Sequence, residues 1–117
     1  MEIIKFKAID QFSDGWIYAP AFFIDKDNNQ GYLAWGIDHH HCVKKETVCQ
    51  FTGIKDKLKN EIFQGDITDA LEVVIFSNGS FRTTHKDDQT GGGLLTKRRA
   101  NYIKIIGNIH THHELLK

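Results

Sequence analysis

The segment 51–67 constrains the fold more than any other part of the sequence, because two glycines stand in it at tight turns between short apolar runs. Gly53 and Gly65 lie where the chain needs positive φ or a close backbone approach, which glycine tolerates most easily. Asp66 follows Gly65, and a short acidic side chain at a turn accepts hydrogen bonds from nearby backbone N–H groups. We therefore predict a β-arm that enters and leaves a Gly-Asp corner. A ligand-binding role for Asp66 is the alternative.

The length and composition predict a single domain over residues 1–117 with one hydrophobic core. Fifteen basic residues balance fifteen acidic ones, so no global field attracts nucleic acid or an anionic membrane. Cys42 and Cys49 are too few for a disulfide framework. No apolar run approaches the roughly 20 residues of a membrane span, and no signal peptide is visible. We expect a cytoplasmic, soluble protein without a membrane partner.

Short apolar or alternating runs separated by turn signals predict a β-rich chain. Residues 71–76 form the most apolar run and are expected to be the central strand. Asn78-Gly79 follows directly and favours a type I′ hairpin turn. Pro20 predicts a sheet edge or a strand break. Residues 43–51 are predicted as one further strand.

The segment near residues 86–100 differs in kind, since it holds three consecutive glycines between acidic and basic clusters. This composition predicts an exposed, mobile loop. A last strand is expected over residues 102–106. Thr111 and Glu114 have the spacing of a capping box, which predicts one helical turn near residue 114.

Three blocks of the sequence together resemble the YopX-like family of small phage and prophage proteins. They are the opening 4–8, the central 51–57 with 61–67, and the closing 106–109 with 114–116. The residues that we take as the structural signature of the resemblance are Gly53, Asp56, Glu61, Gly65, Asp66, Gly107 and Asn108.

The chain departs from that family in two places. Leu58-Lys59 stands where an Asn-Gly turn is usual, so the hairpin tip must differ, and residues 110–113 replace a Tyr-Glu-Asn-Pro run. The resemblance implies a mainly β fold of bent, bifurcated or coiled antiparallel sheets, partly barrel-like. It implies no established activity.

The candidate metal ligands are four histidines, namely His39, His41, His110 and His112. Zinc takes four ligands in tetrahedral array, but this spacing matches no zinc finger, ribbon or knuckle. Cys42 beside His41 is the one candidate pair of nucleophile and base. The side chains of neighbouring residues on a strand point to opposite faces, so this pair would not meet. We therefore expect no metal, no cofactor and no enzymatic activity.

Charged residues form two segments of opposite sign. The basic one contains Lys97, Arg98, Arg99 and Lys104, and the acidic one contains Glu61, Asp66, Asp69 and Glu72. The basic residues near Tyr102 would suit a nucleic acid, with phosphates on the cations and a base on the ring. The favoured alternative is that the two segments face each other, within one subunit or across an oligomer.

The function predicted from these observations is a non-enzymatic protein-interaction module, a homo-oligomer that serves a phage or prophage and binds a host or phage protein. The alternative is a small nucleic-acid-binding module that uses residues 97–104. A metal-dependent enzyme is the third candidate.

Overall fold

Short strands joined by turns make up most of the computed structural model, which describes residues 4–36, 38–85 and 93–116. Contacts between backbone positions divide the chain into two compact units, residues 1–51 and 52–117. The prediction of one domain over 1–117 stays a prediction. We describe each unit separately.

Within its described residues, the first unit contains five strands and the start of a sixth. The strands are β1 (Phe6–Ile9), β2 (Trp16–Ala19), β3 (Ala21–Asp25), β4 (Gln30–Ala34), β5 (His40–Val43) and β6 (Cys49–Lys55), with a 3-10 turn at Lys45–Thr47. β1 pairs antiparallel with β2 and with the beginning of β6, and β3, β4 and β5 form an antiparallel meander. Pro20 separates β2 from β3, which confirms the predicted strand break.

The core of the first unit lies between these strands. It is formed by buried residues on β1, β2, β4 and β5, namely Ala8, Ala19, Leu33 and Val43. Leu33 and Val43 are paired with residues of neighbouring strands and are completely buried. Burial of such side chains is the main favourable contribution to folding.

In the part of the second unit that the structure describes, the rest of β6 is followed by six further strands. These are β7 (Glu61–Phe63), β8 (Asp66–Thr68), β9 (Glu72–Ser77), β10 (Ser80–His85), β11 (Gly93–Leu94) and β12 (Ile105–Asn108). A short helix, α1 (Lys97–Ala100), precedes β12, and a 3-10 turn (His113–Leu116) follows it. Five strands form a sheet in the order β11-β10-β9-β8-β12, so the predicted central strand is confirmed at β9.

The hairpin between β9 and β10 has the predicted turn. Asn78 and Gly79 have φ of 53° and 80°, and a type I′ turn requires positive φ at both central residues. Behind this sheet lies the core of the unit, formed by Ile62, Val74, Leu95, Ala100 and Ile103. The strands, the helix and the segment before β12 therefore all contribute to one apolar cluster.

The segment near 86–100 differs from the predicted loop where the structure describes it. Residues 86–92 lie outside the described residues. Gly93–Leu94 form β11 and Lys97–Ala100 form α1, so the prediction of a loop is wrong for these two elements. Leu95 and Ala100 are buried in the core, and the Thr96 hydroxyl caps α1 by accepting the Arg99 N–H at 3.1 Å.

The predicted strand over residues 43–51 is also interrupted. β5 ends at Val43 and β6 begins at Cys49, with the 3-10 turn between them. Thr47 is buried in this turn, and its hydroxyl accepts the Ile9 N–H at 2.9 Å. This long-range hydrogen bond favours the turn over a continuous strand.

The fold class is confirmed as mainly β with antiparallel sheets. Each strand pair with a described register is antiparallel. No sheet of the described strands closes into a barrel.

Candidate interaction surface

The Gly-Asp corner is part of the scaffold of the second unit. Gly65 has φ of 90°, as predicted. The buried Asp66 carboxylate accepts the Phe63 N–H at 2.7 Å and the Asn108 side-chain amide at 3.0 Å. Asn108 lies opposite Asp66 in the pairing of β8 with β12. Both carboxylate oxygens of Asp66 are thus engaged within the fold, which confirms its predicted role as an acceptor at the corner.

The other signature residues lie on the same framework. Gly53 has φ of 85° within β6, and Glu61 is half-buried at the start of β7. Gly107 follows a register irregularity in β12, and a Cβ placed there would lie 2.8 Å from the Cβ of His112. Gly107 is therefore required by close packing, since real Cβ contacts are longer than this.

Asp56 organises the turn between β6 and β7. Its Oδ1 accepts the N–H groups of Leu58 and Asn60, each at 2.9 Å, and its Oδ2 accepts the Ile105 N–H at 3.0 Å. Burial opposes ionisation of this carboxyl, but the N–H groups of Ile105, Asn60 and Leu58 together outweigh burial and lower the pKa of Asp56. An ionised Asp56 therefore ties the turn to β12.

Two more turns lie beside this one. The Lys57 N–H donates to the Ile103 carbonyl at 3.0 Å. Asp69, in the turn between β8 and β9, donates its N–H to the Lys104 carbonyl at 2.8 Å and accepts the Lys104 N–H at 3.3 Å. The Lys57 ammonium lies 3.8 Å from the Asp69 carboxylate. Hydrogen bonds therefore hold residues 56–60, 68–71 and 101–104 together within the second unit.

Each of these three turns exposes one large apolar side chain. Leu58 is 57% exposed, Leu71 is 46% exposed and Tyr102 is 79% exposed. Leu71 has φ of 60°, and Lys59, next to Leu58, has φ of 69°. Positive φ is uncommon for residues other than glycine, and such strain persists only where the surroundings impose it. The tips are thus fixed by backbone hydrogen bonds rather than by burial.

We call this region the three-turn surface and define it by its apolar tips and its lysines, namely Leu58, Leu71, Tyr102, Lys57, Lys59 and Lys104. All six side chains are exposed. Sequence reasoning missed the two leucines. The available signal was the Leu58-Lys59 pair at the hairpin tip, whereas Leu71 looked like the first residue of an apolar strand.

The residues predicted to contact nucleic acid separate into two groups. Lys97, Arg98, Tyr102 and Lys104 are exposed. Arg99 is half-buried, and its guanidinium donates to the carbonyls of Gly93 and Leu94 at 3.0 and 3.2 Å and to the Glu72 carboxylate at 3.2 Å. For Arg99 and Glu72 the basic and acidic segments therefore face each other within one chain.

The histidines of the first unit contact neighbouring side chains. His41 Nε2 lies 2.8 Å from Asp10 Oδ1, and this contact, together with the Ser13 hydroxyl, lowers the pKa of Asp10. The His40 ring packs edge-on against Phe23 and Tyr32, and His39 is exposed.

The C-terminal histidines belong to the segment after β12. His112 Nδ1 accepts the Asn108 N–H at 3.3 Å and lies 2.7 Å from the Thr111 hydroxyl, and the His110 N–H donates to the Asn108 side chain at 2.9 Å. Across the part of the chain that the structure describes, no group of three or more His, Cys, Asp or Glu residues is arranged to hold a metal ion. Cys42 is half-buried, and the buried Cys49 thiol donates to the Thr47 carbonyl at 3.2 Å.

Comparison with known proteins gives a family and a fold. The model of the family described as YopX protein matches residues 5–117. Among solved structures, the chain is similar to the crystal structure of protein EF1440 from Enterococcus faecalis, with a TM-score of 0.64 and 21% sequence identity over 100% of both chains. At this identity the likeness extends to the fold alone. No curated protein matches the chain.

None of the helices within the described ranges is long and apolar enough to cross a membrane.

Proposed function

The chain belongs to the YopX protein family, and from this premise we propose that it is a non-enzymatic protein-interaction module, encoded by a phage or prophage and active in the cytoplasm of the host cell. The three-turn surface is the observation that carries the proposal. It places Leu58, Leu71 and Tyr102 at the tips of turns that are hydrogen-bonded to one another. The partner is a host or phage protein.

The physical support comes from the cost of leaving such side chains in water. Single exposed apolar residues are common, but several large ones grouped together mark interaction sites. Aromatic side chains are enriched at the energetic centres of interfaces. Turns fixed by Asp56 and Asp69 also lose little conformational freedom on binding, so less of the contact energy is spent on ordering.

A pull-down from host lysate, followed by mass spectrometry, tests this function with variants of the tips. We expect wild-type protein to capture a partner that the double variant Leu58→Ser/Tyr102→Ser loses, while its melting temperature stays close to that of wild type. Phe12→Ser is the matched control, because Phe12 is 81% exposed but belongs to the first unit. Capture that is unchanged in the double variant would contradict the proposal.

A nucleic-acid-binding module is the second candidate, favoured by the 79% exposure of Tyr102 beside exposed cations. Lys97, Arg98 and Lys104 would contact phosphates while the ring stacks on a base. Filter binding across salt concentrations tests it, since phosphate contacts make the affinity fall as salt rises. Binding that is independent of salt, or unchanged by Tyr102→Ser, would remove this candidate.

Self-association is a further part of the proposal, because the three-turn surface of one copy is available to another. Analytical ultracentrifugation should then show a homo-oligomer that the Leu58→Ser/Tyr102→Ser variant dissociates. A wild-type protein that remains monomeric at high concentration would leave only a different protein as the partner.

A further inference from the structure

We infer that the three-turn surface binds an acidic chain segment that carries apolar side chains. This inference rests on the proposed interaction function and adds the chemistry of the partner. Two features carry it, namely the local charge of the turns and the kind of apolar side chain at their tips.

The three turns are positively charged although the chain as a whole is neutral. Residues 56–60, 68–71 and 101–104 contain three lysines and two acids, so their formal charge is 3 − 2 = +1. Of the two acids, Asp56 is buried and Asp69 lies 3.8 Å from Lys57. The exposed charges of the turns are therefore three lysines and one aspartate.

The exposed cations of the three turns are Lys57, Lys59 and Lys104. Positive potential of this kind attracts a negative partner, speeds the encounter and excludes basic partners. An acidic partner therefore complements the surface, and its binding is weakened by salt because exposed charges are screened.

The tips favour a protein segment over nucleic acid. Leu58 and Leu71 have no π-face on which a base can stack, and only Tyr102 provides one. Aliphatic side chains of a partner pack against leucine as well as against the tyrosine ring. Acidic residues interspersed with leucine or isoleucine would thus satisfy both the lysines and the tips.

The test uses three short fluorescent peptides that share the same leucines and differ only in their polar residues, which are Glu, Gln or Lys. Binding is measured by fluorescence anisotropy at low and high salt. We expect the Glu peptide to bind at least about tenfold more tightly than the Gln peptide at low salt, and the difference to shrink at high salt. The Lys peptide should not bind.

Variants of the protein separate the charge from the apolar contact. Lys59→Gln/Lys104→Gln should weaken binding of the Glu peptide while leaving any binding of the Gln peptide unchanged. Leu58→Ser/Tyr102→Ser should abolish the binding of both peptides. Lys26→Gln is the control, because Lys26 is exposed in the first unit. Melting temperatures of all variants show that each is folded.

Other outcomes overturn the inference in distinguishable ways. Equal binding of the Glu and Gln peptides, lost in Leu58→Ser/Tyr102→Ser, would refute the acidic partner and leave the interaction function standing. Binding of oligothymidine or of phosphatidylglycerol vesicles with no binding of any peptide would refute both the acidic partner and the proposed interaction function. If none of these probes binds, the three-turn surface is not a site for an acidic apolar segment and the inference is wrong.

Discussion

At the scale of single residues, Gly65 tests whether the corner depends on backbone conformation. Its φ of 90° is unfavourable for any residue with a Cβ. Gly65→Ala should therefore lower the free energy of unfolding by about 1 kcal/mol or more, as measured by urea denaturation. Gly36→Ala is the control, since nothing lies within 4 Å of a Cβ at that position. An unchanged Gly65→Ala variant would show that the corner tolerates a side chain.

Asp66 tests the other half of the corner. Asp66→Ala removes the acceptor of the Phe63 N–H and of the Asn108 amide, both of which are buried. We expect a loss of roughly 1–3 kcal/mol in the free energy of unfolding, and a loss of partner binding only in proportion to unfolded protein. Asp14→Ala, at an exposed carboxylate, is the control. Full stability together with abolished binding would identify Asp66 as a functional carboxylate instead.

Asp56 should make the stability depend on acid. Its folded pKa lies below the ordinary value of 3.8, so its contribution to stability is present above that pH and is lost as the pH falls through the folded pKa. Asp56→Asn places an amide donor against N–H groups, and this should destabilise the protein at neutral pH. The difference from wild type should shrink as the pH falls below the ordinary value of 3.8 and through the folded pKa.

Chemical denaturation at several pH values measures the Asp56 contribution. Asp14→Asn, with a fully exposed side chain, should stay close to wild type at neutral pH. A difference between wild type and Asp56→Asn that does not change with pH would contradict ionisation as the source of the stability.

At the scale of secondary-structure elements, local sequence patterns correctly predicted the strands and turns that depend on residues adjacent in the sequence. The apolar run of β9, the Asn78-Gly79 turn and the break at Pro20 each follow from the residues present. The predicted last strand over residues 102–106 is shifted, because Tyr102 and Ile103 donate their N–H groups to the carbonyls of Arg99 and Ala100. β12 therefore begins only at Ile105.

The errors at this scale arise where a distant contact overrides the local pattern. Residues 93–100 begin at the end of a glycine run and contain a basic cluster, and this composition predicted a loop. Leu95 and Ala100 nevertheless pack in the core with Ile62 and Val74. No local sequence pattern indicates that Ala100 packs against residues as distant in the sequence as Ile62 and Val74. Burial of this kind decides helix and strand boundaries when intrinsic preference is weak.

Arg99 should be the residue that attaches α1 to the sheet. Its guanidinium contacts two carbonyls at the start of β11 and the Glu72 carboxylate. Arg99→Ala should lower the free energy of unfolding by about 1–3 kcal/mol, because hydrogen bonds to a charged group are lost in a half-buried place. Arg98→Ala, at the exposed neighbour, should have little effect. Equal effects of the two changes on thermal melting would mean that Arg99 contributes no more than a surface charge.

At the scale of the whole molecule, the fold was more predictable than the candidate site. The signature residues Gly65 and Asp66 show a local geometry that sequence reasoning anticipated. The three-turn surface depends instead on hydrogen bonds between Lys57 and Ile103 and between Asp69 and Lys104. Contacts between residues so far apart cannot be read from one sequence, so the shared location of Leu58, Leu71 and Tyr102 emerged only from the fold.

The last prediction is that the whole molecule folds without a metal ion. A chain of 117 residues buries enough surface to be stable without one. Two of the histidines also contact other groups: His41 contacts Asp10, and His112 contacts Asn108 and Thr111. Untagged protein should therefore keep its melting temperature in EDTA and gain nothing from added zinc.

A structural metal would behave differently, since a ligand that binds only the native state raises the melting temperature with its free concentration. His41→Gln and His112→Gln provide the matched controls, one for each unit, and neither should change the response to EDTA. A fall of several degrees in EDTA that one of these variants abolishes would place a metal site at that histidine and would refute the prediction.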